Sequence, residues 1–204
     1  LGADHPDTIS STSMLASAYL MNRKVDLALP LLEEAMTKHK DTLRAGHPEF
    51  LTILGNLAGC YFAVKKTESA IPLLEEVVVR QRKTHGSLDP GAVTSISNLA
   101  YMYEKRLDWS KAQPLREEVF ESQKKQGDIK AIVLAYIKLR ENLFEQKKFV
   151  EAEPLVREHV KLIEEKRLGV QALVIGQNHL GMVLAAQKKY PEAEAALLRS
   201  IREL

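Results

Sequence analysis

Apolar residues along this chain recur at helical spacing, and the recurrence itself repeats. Leu51, Leu54, Leu57, Ala58 and Tyr61 lie three or four residues apart, the spacing of one helix face. After a short polar break at Lys65-Lys66-Thr67, a second stripe runs through Ala70, Leu73, Leu74, Val77 and Val78. Residues from about Pro48 to His85 therefore predict two helices joined by a tight turn. The same pair returns every 40 to 42 residues, five times. Asn56-Leu57-Ala58-Gly59-Cys60-Tyr61 aligns with Asn98-Leu99-Ala100-Tyr101-Met102-Tyr103, and Leu15-Ala16-Ser17-Ala18-Tyr19 takes the same frame. Twelve residues after Ala16, Ala58 and Ala100 come Ala28, Ala70 and Ala112, and the series continues at Ala152 and Ala193. A fixed period of this size predicts stacked supersecondary units in place of one central core. The expected units span about residues 5–44, 47–85, 89–126, 129–167 and 170–204.

Punctuation agrees with this frame. Pro6, Pro48 and Pro90 suit first-helix starts, where a missing N–H costs nothing. Gly2, Gly46, Gly86, Gly127 and Gly169 fall at or near unit boundaries, and His5 and His47 read as capping elements. Pro30, Pro72, Pro114 and Pro154 recur two residues past the second alanine and are expected in the first turn of the second helix. The small residues mark close helix crossings: Ala16, Ala58, Ala100 and Gly181 on first helices, Ala28, Ala70, Ala112, Ala152 and Ala193 on second helices. Three residues before each of the latter stands Val25, Thr67, Trp109, Phe149 or Tyr190, which predicts Trp109 to pack at a helix turn. Arg140 breaks the small-residue column, and a long cation there must snorkel outward beside a carboxylate or line a surface.

Composition narrows the function classes. With 29 basic and 27 acidic residues interspersed and a net charge of +2, no large single-sign field is expected, and nucleic acid is not the expected partner. Cys60, the single cysteine, excludes an internal disulfide framework, points to a reducing, cytoplasmic setting, and reads as a small buried hydrophobe. No run approaches a membrane span of about 18 apolar residues, so no membrane partner is expected. The chain opens on Leu1 and stops at Leu204 within a helical pattern, so a piece of a longer protein is expected. A terminal unit without a polar cap would expose apolar surface and favour self-association.

Motifs of catalysis are missing. There is no glycine-rich phosphate loop, no H-E-x-x-H and no Cys/His cluster at zinc spacing, so no catalytic residue, cofactor or metal is expected. His39, His85, His159 and His179 are scattered. Glu33-Glu34, Glu75-Glu76 and Glu117-Glu118 recur in phase and read as a solvated outer face. The pairs Arg23-Lys24, Lys65-Lys66, Lys105-Arg106, Lys147-Lys148 and Lys188-Lys189 read as an in-phase row at first-helix ends, where cations complement the helix dipole.

Leu-Ala-x-x-Tyr, an alanine twelve residues on and apolar residues four and seven later resemble the tetratricopeptide repeat. The period near 42, "AGHPEF" at Ala45–Phe50, and "LALPLLEEAM" at Leu27–Met36 echoed by "SAIPLLEEVV" at Ser69–Val78 resemble its kinesin light chain type. "QKKFVEAEPLVREHV" and "LGMVLAAQKKYPEAEAALLRSI" are also similar to C-terminal repeat arrays of bacterial multidomain serine/threonine kinases. The resemblance implies an all-α, right-handed solenoid of ten helices whose first helices line a concave groove for a partner peptide. Carried over by position, the groove residues are Asn56, Phe62, Asn98, Tyr101, Glu104, Lys105, Lys138, Glu141, Phe144, Asn178 and Met182. It further implies an acidic-aromatic ligand peptide. A carboxylate-clamping subclass would need lysines where Ser10, Ser13 and Ser17 stand. The expected function is a non-catalytic protein–protein interaction scaffold. The alternatives are a substrate-recruiting segment of a signalling enzyme such as a serine/threonine kinase and, less favoured, an RNA-binding array.

Overall fold

The structure, a computed structural model, describes residues 6–39 and 48–202. His5, His47, Gly2 and Gly46 lie outside the described residues. Ten helices and no strand occur among the described residues. They pack into two compact units, Leu1–Asp108 and Trp109–Leu204.

Unit 1 holds α1 (Pro6–Met21), α2 (Val25–His39), α3 (Pro48–Ala63), α4 (Thr67–His85) and α5 (Pro90–Lys105). Each packs on the next, and α1 also packs on α3. Unit 2 holds α6 (Trp109–Gln126), α7 (Ile129–Glu145), α8 (Phe149–Lys166), α9 (Val170–Ala186) and α10 (Tyr190–Arg202), again in sequential contact. The division falls in the turn inside the third repeat.

The helix boundaries match the predicted punctuation. Three first helices begin at Pro6, Pro48 and Pro90, and every second helix begins at the column Val25, Thr67, Trp109, Phe149, Tyr190. Asp89 caps α5 by accepting from the Ala92 N–H at 3.0 Å, and Asp128 caps α7 by accepting from Lys130 N–H at 3.0 Å. Gly86, Gly127 and Gly169 adopt φ of 81°, 81° and 100° between repeats, a region that only glycine enters without strain.

Two expectations need correction. Pro30, Pro72, Pro114 and Pro154 sit inside their helices, in the second turn. Each therefore leaves a carbonyl four residues earlier without its helical donor. These prolines and the residues four before them are all exposed. The basic row is also out of phase once. Within each repeat the turn places one residue in the left-handed region: Arg23, Lys65, Leu107, Lys147 and Lys188, at φ of 56° to 63°. The third is a leucine, because Lys105 and Arg106 lie before the turn position. The geometry is held by backbone bonds such as Lys66 N–H to Tyr61 O at 2.8 Å and Asp108 N–H to Tyr103 O at 2.9 Å.

Small residues sit where the helices cross. Ala16, Ala28, Ala58, Ala70, Ala100, Ala112 and Ala152 have no exposed surface. A methyl group on Gly181 would meet Leu197 at 2.6 Å, so that crossing admits only glycine without rearrangement. Ala16, Ala28, Leu32, Ala35, Ile53, Leu57 and Cys60 form a continuous cluster in unit 1. Burying side chains such as Leu32 and Ile53 stabilises the unit by about 1.5–3 kcal/mol each before entropy is charged. Cys60 is buried, and burial pushes its thiol up, as befits a small core residue.

Candidate functional site

Three first helices of unit 1 carry a ladder of polar and aromatic groups. Asn56 on α3 and Asn98 on α5 line one cavity of about 380 Å3. Leu51, Leu74 and Val77 supply its apolar lining, and Thr52, Gln81, His85, Asp89 and Ser95 add polar groups. Gly55 widens it, since no atom lies within 4 Å of the place a methyl group would take. Asn56 is half-buried and its Nδ2 donates to Ser17 Oγ on α1 at 2.7 Å, while Asn98 is exposed. The Gln81 amide oxygen is buried and accepts no hydrogen bond within the chain.

One to two turns further along the same helices, Phe62 and Tyr101 meet edge to face, ring centres 5.6 Å apart at 62°. Lys105 Nζ lies 5.1 Å from the Tyr101 ring centre. Tyr101 keeps 43% of its surface exposed, so the platform is open. Glu104 is half-buried on the same helix. The structure thus groups Asn56 with Asn98, and Phe62 with Tyr101 and Lys105.

In unit 2 the candidate residues are engaged differently. Lys138 and Glu141 pair with each other at 2.9 Å. Phe144 is half-buried, edge-on to Phe149 at 5.7 Å and to His179 at 6.5 Å, with the Arg140 guanidinium 5.5 Å from its ring centre. Asn178 Oδ1 accepts from Ser200 Oγ of α10 at 2.8 Å, so its amide turns toward its own repeat's second helix. Met182 is the open apolar residue, 56% exposed. Arg140 reaches a histidine as its main partner. Its Nη1 donates to the His179 ring, 2.9 Å from Nδ1, and Glu141 is only at the 4.0 Å edge of an ion pair. Burial, then the Arg140 charge, lowers His179 to about 4, so the ring is neutral and able to accept.

Sequence reasoning missed several of these contacts. Gln81 and His85 belong to a second helix, which the repeat assigns to the outer face, but α4 runs 19 residues and its last turns reach the cavity. Glu33 and Glu75, read as solvated, each accept from a tyrosine of the next repeat, Tyr61 at 2.9 Å and Tyr103. Both tyrosines titrate above their usual range, first through burial and then through the carboxylate. The recurring 28-residue separation of these pairs was the available signal. Trp109 opens α6 at the turn and is half-buried, and its backbone carbonyl accepts from Asn142 Nδ2 at 3.1 Å.

Among the described residues no His, Cys, Asp and Glu cluster could hold a metal ion, and no helix is long and apolar enough to cross a membrane.

Tetratricopeptide-repeat family profiles match residues 49–125 and, in a second form, residues 8–49 and 177–202. Among solved structures, a putative kinesin light chain from Podosopora anserina with nearly identical TPR-like repeats is 27% identical. The match covers 98% of this chain and 96% of that one, with a TM-score of 0.75. BtubC (BKLC) from P. vanneervenii is 19% identical over 96% of this chain and 79% of its own, at a TM-score of 0.64. MamA protein is 13% identical over 98% and 93%, at 0.66. The last two share the fold alone. No curated protein sequence matches this chain.

Proposed function

Because this chain belongs to the tetratricopeptide-repeat family, with kinesin-light-chain-like relatives in structure, we propose that it is a non-catalytic interaction scaffold whose unit 1 face takes a partner peptide. One observation carries the reading: Asn56 and Asn98, 42 positions apart in sequence, line the same open cavity. Side-chain amides donate and accept together, so the pair can hold an extended peptide backbone with no demand on its charge.

Specificity would come from the neighbouring platform. The Phe62–Tyr101 pair offers an aromatic surface to an aromatic or large apolar side chain, and Lys105 beside it favours a flanking acid. An acidic-aromatic peptide is therefore the proposed ligand class. Binding is a simple equilibrium with no bond made or broken.

Selection from a random displayed peptide library tests this, together with titration of the recovered peptides. Aromatic residues flanked by Asp or Glu should be enriched. Asn98→Ala should weaken binding about fivefold, the worth of one hydrogen bond near 1 kcal/mol. Lys105→Glu should weaken it further and reverse the preference for acids. Recovery of peptides lacking both an acid and an aromatic would contradict the reading.

A further inference from the structure

Unit 2 contains a second, separate cavity, walled by α6, α7 and α8 and about 170 Å3 in volume. Phe120, Ile132 and Leu162 give it apolar walls, and Tyr136 and His159 line it beside them. The two rings stack, centres 3.6 Å apart and 12° from parallel. Tyr136 is 1% exposed and His159 8%, yet the Tyr136 hydroxyl and both His159 ring nitrogens make no hydrogen bond. Buried polar atoms are nearly always paired, and an orphan is costly. Three orphans on two stacked rings in one cavity wall ask for a partner from outside the chain.

We infer that this cavity binds a small uncharged molecule of about the size of phenol, with an apolar body and one or two hydrogen-bonding atoms. Size sets the upper limit, because a cavity of roughly 150 Å3 accommodates a benzene ring. The walls set the polarity. Phe120, Ile132 and Leu162 match an apolar body, whereas a cluster of waters would satisfy the polar side and leave the apolar side unmatched. Charge is excluded at the opening, where Lys124 pairs with Glu158 at 2.7 Å and Glu121 at 3.2 Å. An anion would meet that net-negative cluster, and a cation would have to compete with Lys124 for its two carboxylates and lose its own hydration.

The neighbours keep the histidine in the required state. Burial, then the nearby His179 and Arg140, lowers His159 to about 4, so the ring is neutral, with one N–H to donate and one nitrogen to accept. The Tyr136 hydroxyl offers the same two roles. A hydroxyl on the ligand, which both donates and accepts, is complementary to both.

Titration of the full chain with phenol, and with benzene as the apolar control, tests the assignment by calorimetry and by nitrogen NMR of the histidine rings. Phenol should bind saturably at one site per chain, roughly three- to tenfold tighter than benzene, and shift the His159 ring nitrogens. His159→Phe keeps a stacked ring without nitrogens and should reduce phenol to the affinity of benzene. Leu162→Trp should fill the cavity and abolish both. Equal affinity for the two probes overturns the inference. So does the absence of saturable phenol binding, which would mean that water alone fills the cavity. If His159→Phe fails to fold, the unsubstituted chain still decides, since unmoved His159 ring signals at saturating phenol overturn it equally.

Discussion

Units 1 and 2 are built from the same repeat, but they differ in the residue at the small position of the first helix and in the packing that this residue imposes. In unit 1 that position is Ala16, Ala58 and Ala100, all fully buried, so the helices meet over alanine. The polar and aromatic residues beside it, Asn98, Tyr101 and Lys105, remain outward and open. In unit 2, α7 carries Arg140 there, with only 14% of its side chain exposed. The cation needs partners, and it takes His179 and the Phe144 ring, which would otherwise have formed a floor. A single different residue in the repeat thus goes with a largely buried polar cluster in place of an open face. The two units therefore present different chemistry around α5 and α7: the open face proposed to take a peptide in unit 1, and the Arg140–His179–Phe144 cluster in unit 2.

Transplanting the difference gives the largest expected effect. Ala100→Arg should destabilise the chain by about 3 kcal/mol or more, because unit 1 has no His179 equivalent to receive the charge and no room for its stem. Chemical denaturation read by circular dichroism checks it, and a loss below about 1 kcal/mol would break the comparison. The reverse change, Arg140→Ala, should cost about 1–3 kcal/mol by the same measurement, since it leaves a void and unpairs His179.

Acid should act on unit 2 through the same cluster. His159 and His179 both titrate at about 4 against an unperturbed 6.5. Between those values the unfolded chain binds more protons than the folded one, so stability rises with pH across the window. The Tm should fall as pH is lowered from 7 to 4.5, and Arg140→Met should flatten the dependence by removing the charge that helps hold both rings low. A Tm independent of pH in that range would place the two rings in ordinary solvent.

Much of this was legible in the sequence, for physical reasons that particular residues make plain. Helix starts at Pro48 and Pro90 and the boundary glycines Gly86, Gly127 and Gly169 were readable because backbone torsion limits residue choice. Crossings at Ala58 and Ala100 were readable because volume limits it. Asn56 and Asn98 were found because the resemblance to the tetratricopeptide repeat carries its groove positions over by register, and both line one cavity. The contacts of Arg140 were not, because His179 lies 39 positions away and a long side chain can reach several neighbours. Of the Tyr136–His159 stack only His159 stood out, as a polar residue where the repeat calls for a small or apolar one; Tyr136 reads as an ordinary occupant of an amphipathic helix. Pro72 misled because its cost depends on whether Glu68 O faces solvent, which only the fold decides.

Smaller effects sharpen the contrast from the side of unit 1. Asn56→Ala should cost about 1 kcal/mol of stability through the lost bond to Ser17, whereas exposed Asn98→Ala should leave stability unchanged within about 0.5 kcal/mol. Thermal melts distinguish the two. A large loss for Asn98→Ala would make that residue structural and remove it from the peptide face.

Whether unit 1 holds the partner peptide is tested most directly by hydrogen–deuterium exchange with and without a saturating acidic-aromatic peptide. Protection concentrated in α3, α5 and the last turns of α4, and lost in the Asn98→Ala, Tyr101→Ala double variant, is the predicted result. Protection concentrated in α7 and α9, or unchanged by the double variant, would contradict it.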